Sequence, residues 1–312
     1  MMRFDFNSSK LVVNDARMVD FVSDIYEESR YLKGASEEDL EQRLIGFVAN
    51  LIQFQSNGDP HFVADRNAAA IAFVELRREY ELRSTPIDDL LAGHLMKFSG
   101  MFNQADIDRI QRVLEQFRGR KCLFKFVQSC DSDSLIAGAV RFQTAASYND
   151  KTLTATICDD ELAIEHRLSR LKLLSKTGQE IPVRGDKMTV SAAGNYYVSC
   201  FSSSFKLQYF SLFGRDCCVV ISDAEQFARD VTAAYKAKFR DDEIVFGPVE
   251  YIDRFRRLKG KAPIELWKSS DYEFQDEYRF ASWDLDSNNY LDPVRIVQIC
   301  PDQYEFMRIY EH

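Results

Sequence analysis

Apolar residues recur every three or four positions through most of the first 118 residues, a period typical of helices that bury one face. Such segments lie at 14–32, 36–52, 65–82, from Thr85 onward, and from 103 to Gly119. Ser36 and Asp39 form a capping box at the start of the second segment. Thr85 caps the fourth, with Pro86 at its first helical position. The sequence therefore predicts an N-terminal helical bundle over residues 1–118.

From residue 121 onward, short apolar runs typical of strands replace the helical period. They are CLFKFV, YYVSCFS, CCVVIS, EIVF, VEYI, the stretch WKSSDYEFQDEYRF, and VRIVQIC. Helices are predicted at 160–176, from Asp223 to Phe239, and in the closing DQYEFMRIY. Because helices and strands do not alternate regularly, residues 121–312 are predicted to form an α+β domain with a mixed sheet.

Charge and cysteine usage narrow the class of protein. The 312 residues carry a net charge of −9, with an acidic excess in both predicted domains, so the broad basic surface of a duplex-binding protein is not expected. A local groove that binds a nucleotide or a single strand is still compatible with this charge.

Seven cysteines without a CxxC pair favour free, mostly buried thiols in a reducing compartment. With no signal-like start and no apolar run near membrane-spanning length, we expect a cytoplasmic protein without a membrane partner.

The most informative stretch for function is WKSSDYEFQDEYRF, residues 267–280. Polar side chains occupy every second position: Glu273, Gln275, Glu277 and Arg279. On a strand, Gln275 and Glu277 project to the same side with Cβ atoms roughly 7 Å apart, a spacing that suits two hydroxyls of one ribose. The alternative is a solvated face of an antiparallel sheet, with these charges paired to a neighbouring strand.

Three further motifs could contribute to a site. Lys125 lies between Phe124 and Phe126, so it must extend to solvent, pair with an acid or reach a ligand anion. The motif SYND, with Asn149 and Asp150, is simplest as a turn. The motif SCFSSS either supplies hydroxyl donors or ends a strand. P-loop, GxGxxG, GxSxG and HExxH motifs are absent, and the four histidines lack ligand spacing, so no metal site is predicted.

In this order the motifs resemble the bacterial and phage family called domain of unknown function twenty-nine seventy-one, across about residues 121–285. The corresponding segments are LFKFV, SYNDK, SCFS, LQYFSLFGRDCCVVI, VEYID and KSSDYEFQDEYR. The matching residues are Lys125, Asn149, Asp150, Cys200, Phe201, Ser202, Lys268, Glu277, Tyr278 and Arg279. The chain departs from the pattern at Tyr209 and Tyr272, where the family has tryptophan, and at Gln275, where it has glutamate. It also lacks the proline after Asp150, and a cysteine replaces a family glycine in CCVVI.

The same order of a basic strand, a hydroxyl-ended strand and a late Q/E-x-E strand is similar to ADP-ribosyltransferases, above all to the DNA-modifying toxins among them. This resemblance implies NAD as substrate and an NAD-dependent effector or toxin, in the setting of phage defence. Glu277 would then stabilise an oxocarbenium-like transition state, and Gln275 would orient the acceptor or the ribose. The residues implied around the cofactor are Lys125 at the diphosphate, Ser202 in the wall, Tyr209 stacked on a ring, and Asn149, Asp150, Lys268 and Arg279.

Two other readings stay open from the sequence. The same site could bind a nucleotide or a nucleic-acid end without chemistry, as a sensor. The chain could also be a protein-interaction scaffold in a defence system, with the helical domain docking a protein partner. That domain could equally mediate self-association or restrain the second domain.

Overall fold

Five helices form most of the first 118 residues in the computed structural model, which describes residues 2–5, 10–13, 16–54, 60–62, 67–96, 104–150, 161–167, 173–174, 177–181, 187–253, 255, 261–284 and 292–310. They are α1 (Ala16–Ser29), α2 (Glu37–Leu51), α3 (Asn67–Leu82), α4 (Ile87–Met96) and α5 (Gln104–Gln116). The predicted capping box is present at α2. The Ser36 hydroxyl accepts from the Asp39 N–H at 3.1 Å, and the Asp39 carboxylate accepts from the Ser36 N–H at 2.9 Å.

Two short hairpins accompany these helices, so the prediction of a purely helical first segment was incomplete. Their strands are β1 (Met2–Asp5), β2 (Lys10–Val13), β3 (Ile52–Phe54) and β4 (Pro60–Phe62). Ile52, assigned from the sequence to the apolar stripe of α2, instead begins β3. Apolar runs of three or four residues have too few positions to distinguish the period of a helix from the alternation of a strand.

The remaining chain contains three helices and fourteen strands among the described residues. The helices are α6 (Ser129–Ile136), α7 (Tyr209–Phe213) and α8 (Ala224–Lys238). The strands are β5 (Leu123–Val127), β6 (Ala139–Thr144), β7 (Ala163–Arg167), β8 (Leu173–Leu174), β9 (Glu180–Ile181), β10 (Lys187–Ser191), β11 (Tyr197–Ser202), β12 (Cys217–Ile221), β13 (Asp242–Pro248), β14 (Glu250–Ile252), β15 (Trp267–Ser269), β16 (Glu277–Asp284), β17 (Val294–Gln298) and β18 (Phe306–Tyr310).

Helices and an antiparallel sheet make the protein an α+β fold. The main sheet has eight strands in the order β13-β16-β11-β5-β12-β18, with β6 pairing β11 and β17. Every pairing in it is antiparallel, so the prediction of a mixed sheet was wrong. The parallel pair among the described strands, β14 with β15, lies outside this sheet.

The sheet forks at β11. On one side β11 pairs along its length with β16. On the other side its Ser202 end pairs with β5, at the single register pair Ser202 with Phe124, and its Tyr197 end pairs with β6. Helix α6 connects β5 to β6, so one β-α-β segment supplies both branches of the fork. The middle of β11, from Ser199 to Phe201, therefore has no ladder partner on that side among the described strands.

Two segments predicted as helices contain strands instead. Within 160–176, residues Ala163–Arg167 form β7, which pairs with β10. In the closing segment, Phe306–Tyr310 form β18 at the edge of the main sheet, paired with β12. Both runs are short, so hydrogen bonding to a neighbouring strand stabilises them more than their weak helical periodicity does.

One apolar core crosses the predicted boundary near residues 118–121. Alternate residues of β12 face opposite sides of the sheet, as strand geometry requires. Val219 packs in a cluster with α8, whereas Cys218 and Val220 belong to a cluster that includes Tyr26, Phe47 and other side chains of α1 to α5. The helical segment thus covers one face of the sheet and α8 covers the other.

Helix α2 also contacts the segment that leads into β16. Arg43 forms ion pairs with Asp253 at 3.0 Å and Asp271 at 3.4 Å. Gly46 lies so close that a Cβ atom built there would be 2.1 Å from the carbonyl oxygen of Asp271. This contact, the α2 brace, holds the 3-10 turn Ser270–Gln275 against the helical segment.

Candidate functional site

A cavity of about 120 Å³ lies at the fork of the sheet, next to the unpaired middle of β11. At about 30 Å³ per water molecule this is room for roughly four waters, enough for one ring or one phosphate group. Five residues singled out from the sequence line it: Lys125, Ser202, Lys268, Gln275 and Glu277. Phe126, Phe201 and Phe213 supply aromatic wall. The fold thus brings together side chains that are up to 152 positions apart in the sequence.

Glu277 and Gln275 reach the cavity by a route that differs from the predicted one. They do not lie on one strand, because Gln275 ends the 3-10 turn and Glu277 begins β16. Between them Asp276 adopts the left-handed conformation, with φ of 46°, and its carbonyl accepts from the Ser203 N–H at 2.7 Å. Aspartate tolerates this conformation better than most residues. Both side chains are buried, whereas Glu273 of the predicted row is exposed.

A buried network of two acids and two bases holds the Glu277 carboxylate. Oε1 accepts from Arg279 Nε at 2.7 Å, and Oε2 accepts from Lys268 Nζ at 3.2 Å. Glu161 bridges the same two bases, 2.8 Å from Lys268 Nζ and 2.7 Å from an Arg279 guanidinium nitrogen. The Glu277 N–H donates to the Tyr251 hydroxyl at 2.8 Å. The two acids and two bases thus neutralise one another in a site that is shielded from water.

The network keeps Glu277 ionised. Burial alone raises the pKa of a carboxyl, but Arg279 and Lys268 outweigh burial and hold the pKa of Glu277 well below its usual range. The neighbouring Cys200 thiol behaves in the opposite way. Burial, and then the charge of Glu277, raise the pKa of Cys200 to about 12, so this thiol stays protonated at neutral pH.

Lys125 enters the cavity from β5, one of the two strands that branch at the fork. Its ammonium group donates to the carbonyl oxygen of Cys200, one of the groups in β11 that the interrupted ladder leaves without a strand partner. It also lies 4.8 Å from the centre of the Phe201 ring. Burial lowers the pKa of Lys125 from the ordinary 10.5. The described residues place no carboxylate within ion-pair distance of it.

Four of the predicted cofactor contacts do not line the cavity. Tyr209 is fully buried in the core, where its hydroxyl donates to the carbonyl of Phe274, so stacking on a bound ring was a wrong expectation. Asn149 and Asp150 are exposed at the end of a 3-10 turn; in the SYND motif it is Tyr148 that lines the cavity. Arg279 acts from behind the cavity, through Glu277.

Three cavity residues with polar side chains were not singled out from the sequence: Tyr148, Glu161 and Arg215. Glu161 lies 107 positions from its partner Lys268, within a segment predicted to be helical, so no local pattern identified it. Arg215 follows a glycine in LFGRD, which signals the end of a helix but not what the arginine faces. Tyr148 could have been noticed as the aromatic residue of SYND.

The described cysteines are free thiols, with Cys130 and Cys300 exposed and Cys122, Cys217 and Cys218 buried. In the part of the chain that the structure describes, no group of three or more His, Cys, Asp or Glu side chains could hold a metal ion. No helix within that part is long and apolar enough to cross a bilayer.

Fold and site together define an α+β protein with a small, charged cavity at the branch point of an antiparallel sheet. No family model, curated protein or solved structure matches the chain. The resemblance of its motifs to known families therefore stays a prediction, and the proposed function depends on the cavity itself.

Proposed function

We propose that the protein cleaves the nicotinamide–ribose bond of NAD, or transfers the ADP-ribosyl group, as an ADP-ribosyltransferase-like enzyme. The observation that carries this proposal is the ionised, buried Glu277 carboxylate facing the same cavity as Lys125, Ser202 and Gln275. The three strands on which the resemblance depends, β5, β11 and β16, are neighbours in the sheet. A basic group, a hydroxyl and a carboxylate therefore converge.

The chemistry follows from the charge of Glu277. When the bond between C1′ of the ribose and the nicotinamide nitrogen breaks, the electron pair leaves with nicotinamide, and positive charge develops on the ribose. A fixed carboxylate beside the 2′-hydroxyl stabilises that charge more in the transition state than in bound NAD. Water or an acceptor nucleophile then forms the new bond to C1′ and loses a proton. Glu277 does this work as an anion, so its low pKa is an advantage.

The size of the cavity limits what lies inside it. Room for roughly four waters holds the nicotinamide ring or the ribose, but not a dinucleotide. In this proposal the reacting end of NAD occupies the fork of the sheet, and the adenosine end lies outside. Half-buried Tyr148 and Phe213 provide ring surfaces at the cavity.

The test is incubation with NAD followed by mass analysis of released nicotinamide, comparing wild type with Glu277→Gln and Glu277→Asp. Removing one electrostatic group of this kind costs about 100- to 1000-fold in rate. Glu277→Gln also leaves Arg279 and Lys268 short of one counter-charge, a loss of about 3–5 kcal/mol in a buried pair. Glu277→Asp keeps the charge but withdraws it by one methylene, which is expected to cost about 100-fold while the fold is retained.

Glu273→Gln is the matched control, because it removes the same charge from an exposed position four residues away. It is expected to keep wild-type activity. The proposal fails if wild type releases no nicotinamide, or if folded Glu277→Asp and Glu277→Gln proteins both cleave NAD at the wild-type rate.

One observation favours a second candidate, a nucleotide-binding module without chemistry. Both carboxylate oxygens of Glu277 already accept from bases of the protein, so the network also works as a purely structural unit. NAD recovered intact but retained by the protein would support this candidate. If the protein neither retains nor cleaves NAD, the result favours a protein-interaction scaffold.

A role as an effector or toxin in phage defence is a separate part of the proposal. It predicts that expression in bacteria slows growth and that Glu277→Asp relieves the effect at equal protein level. Growth inhibition that persists in the folded variant would separate toxicity from this carboxylate.

A further inference from the structure

Arg215 is held at the cavity by the end of helix α7. Gly214 takes the left-handed conformation, with φ of 56°, and its N–H donates to the Ser211 carbonyl at 3.1 Å. The Arg215 N–H donates to the Phe210 carbonyl at 2.9 Å. This pair of bonds is the Schellman ending of a helix, and it fixes the backbone from which the arginine side chain extends.

The guanidinium group of Arg215 has no acidic partner among the described residues. The nearest acid in the sequence, Asp216, is used elsewhere. Its carboxylate accepts from the N–H of Ser129 at 2.6 Å and from the hydroxyl of the same serine at 2.9 Å. This tie holds the loop to the start of α6 and leaves the Arg215 side chain, which is half-buried, at the cavity wall.

Lys125 is in the same situation on β5, the strand that pairs with β12 just after Arg215. Its ammonium group contacts only a carbonyl and a ring among the described residues. The acids that share the cavity, Glu161 and Glu277, are already paired with Lys268 and Arg279. Two cations that face one cavity without a counter-charge repel each other, and that repulsion is relieved when an anion lies between them.

We infer that Lys125 and Arg215 form a seat for the phosphate groups of a small molecule of the nucleoside diphosphate class. Paired basic groups, one of them an arginine with its forked donors, match phosphate oxygens in geometry and charge. The net charge of −9 favours a small anion over a polyanion such as a nucleic acid, because an acidic protein attracts a long phosphate backbone poorly. That NAD is the natural ligand rests on the proposed function, whereas the seat itself requires no bond cleavage.

Titration calorimetry with sodium pyrophosphate, and separately with ADP-ribose, tests the seat in the full chain. Wild type is expected to bind both more tightly than sulfate at equal ionic strength. Arg215→Gln and Lys125→Met are each expected to weaken binding roughly ten- to hundredfold, since each removes a charge-assisted hydrogen bond in a partly dry site. Arg141→Gln is the matched control, because Arg141 is an exposed cation close enough to act on Lys125 but does not line the cavity.

The outcomes separate the seat from the cleavage reaction. Binding that depends on Arg215 and Lys125 but not on Arg141 supports the seat, even if no nicotinamide is ever released. Equal losses in all three variants, or no binding of pyrophosphate and ADP-ribose, overturn it. So does tight binding of a 5′-phosphorylated oligonucleotide when neither small ligand binds. If Arg215→Gln leaves the kcat/KM for nicotinamide release unchanged, the seat is refuted as the phosphate site of NAD and the cleavage proposal stays intact.

Discussion

Glu277 and Lys125 both lie at the fork of the sheet, but among the described residues only Glu277 has partners of opposite charge. Glu277 has two basic partners, and its pKa is lowered. Its ion pairs therefore stabilise the folded state above the pKa of an ordinary carboxyl, about 4.3, and that stabilisation is lost as the pH falls through the lowered folded value. Lys125 has no acidic partner among the described residues, and burial lowers its pKa. The protein thus holds the Glu277 carboxylate in place as an anion, whereas the Lys125 ammonium group lies at the same cavity without a counter-charge among the described residues.

The lowered pKa of Lys125 predicts a change of stability in alkali. Between the folded pKa and 10.5 the unfolded chain binds more protons at this site than the folded one, so the free energy of unfolding rises with pH in that window. Urea unfolding from pH 7 to 10.5 should therefore show wild type gaining stability relative to Lys125→Met. Lys33→Met, which removes an exposed lysine, controls for the general effect of alkali. A wild-type gain no larger over Lys125→Met than over Lys33→Met would contradict the prediction.

Among the elements, the sequence predicted best where a local signal was complete. The caps at Ser36 and Asp223 begin helices as expected, since both side chains accept from a backbone N–H three residues later. The spacing of Gln275 and Glu277 predicted that both face one site, although the element was a turn followed by a strand. The strand at the end of the chain was missed because its stability comes from pairing with β12, which no local period reveals. The position of Glu161 beside Lys268 and the fork of the sheet at β11 likewise depend on contacts between residues far apart in the sequence, so no local pattern predicts them.

The α2 brace gives a prediction at the level of elements. Gly46→Ala places a methyl group against the carbonyl of Asp271, so helix α2 or the turn must move, at a cost of about 1–3 kcal/mol. Gly93→Ala is the matched control, because this glycine is also helical but has nothing within 4 Å. There alanine is expected to stabilise by about 0.5–1 kcal/mol through helix propensity. Chemical denaturation of both variants measures the difference, and equal effects would show that the brace is not tight.

At the scale of the whole molecule, the helical segment and the sheet share one core. Phe124, Phe126 and Phe210 of the second segment belong to the same cluster as Tyr26 and Leu44 of the first. The change in pattern near residue 120 marks a change of secondary structure, and the apolar packing continues across it.

A chain of residues 121–312 alone is therefore expected to fold poorly. It would expose the apolar face of the sheet and leave Asp253 and Asp271 without Arg43. Enhanced fluorescence of a hydrophobic dye and aggregation on size-exclusion chromatography, relative to the full chain, are the expected results. A monomeric fragment with a cooperative unfolding transition would instead show two independent domains.

The α2 brace connects the helical segment to the wall of the cavity. The turn that it grips ends in Gln275, at the wall of the cavity. Suppose that a molecule in the cavity favours one arrangement of that turn. The contacts of the turn with Arg43 and Gly46 then differ between the arrangements, and the two effects are coupled by one free energy. Thermodynamic reciprocity then requires that a protein whose binding to helix α2 distinguishes these arrangements change the affinity of the cavity by an equal factor.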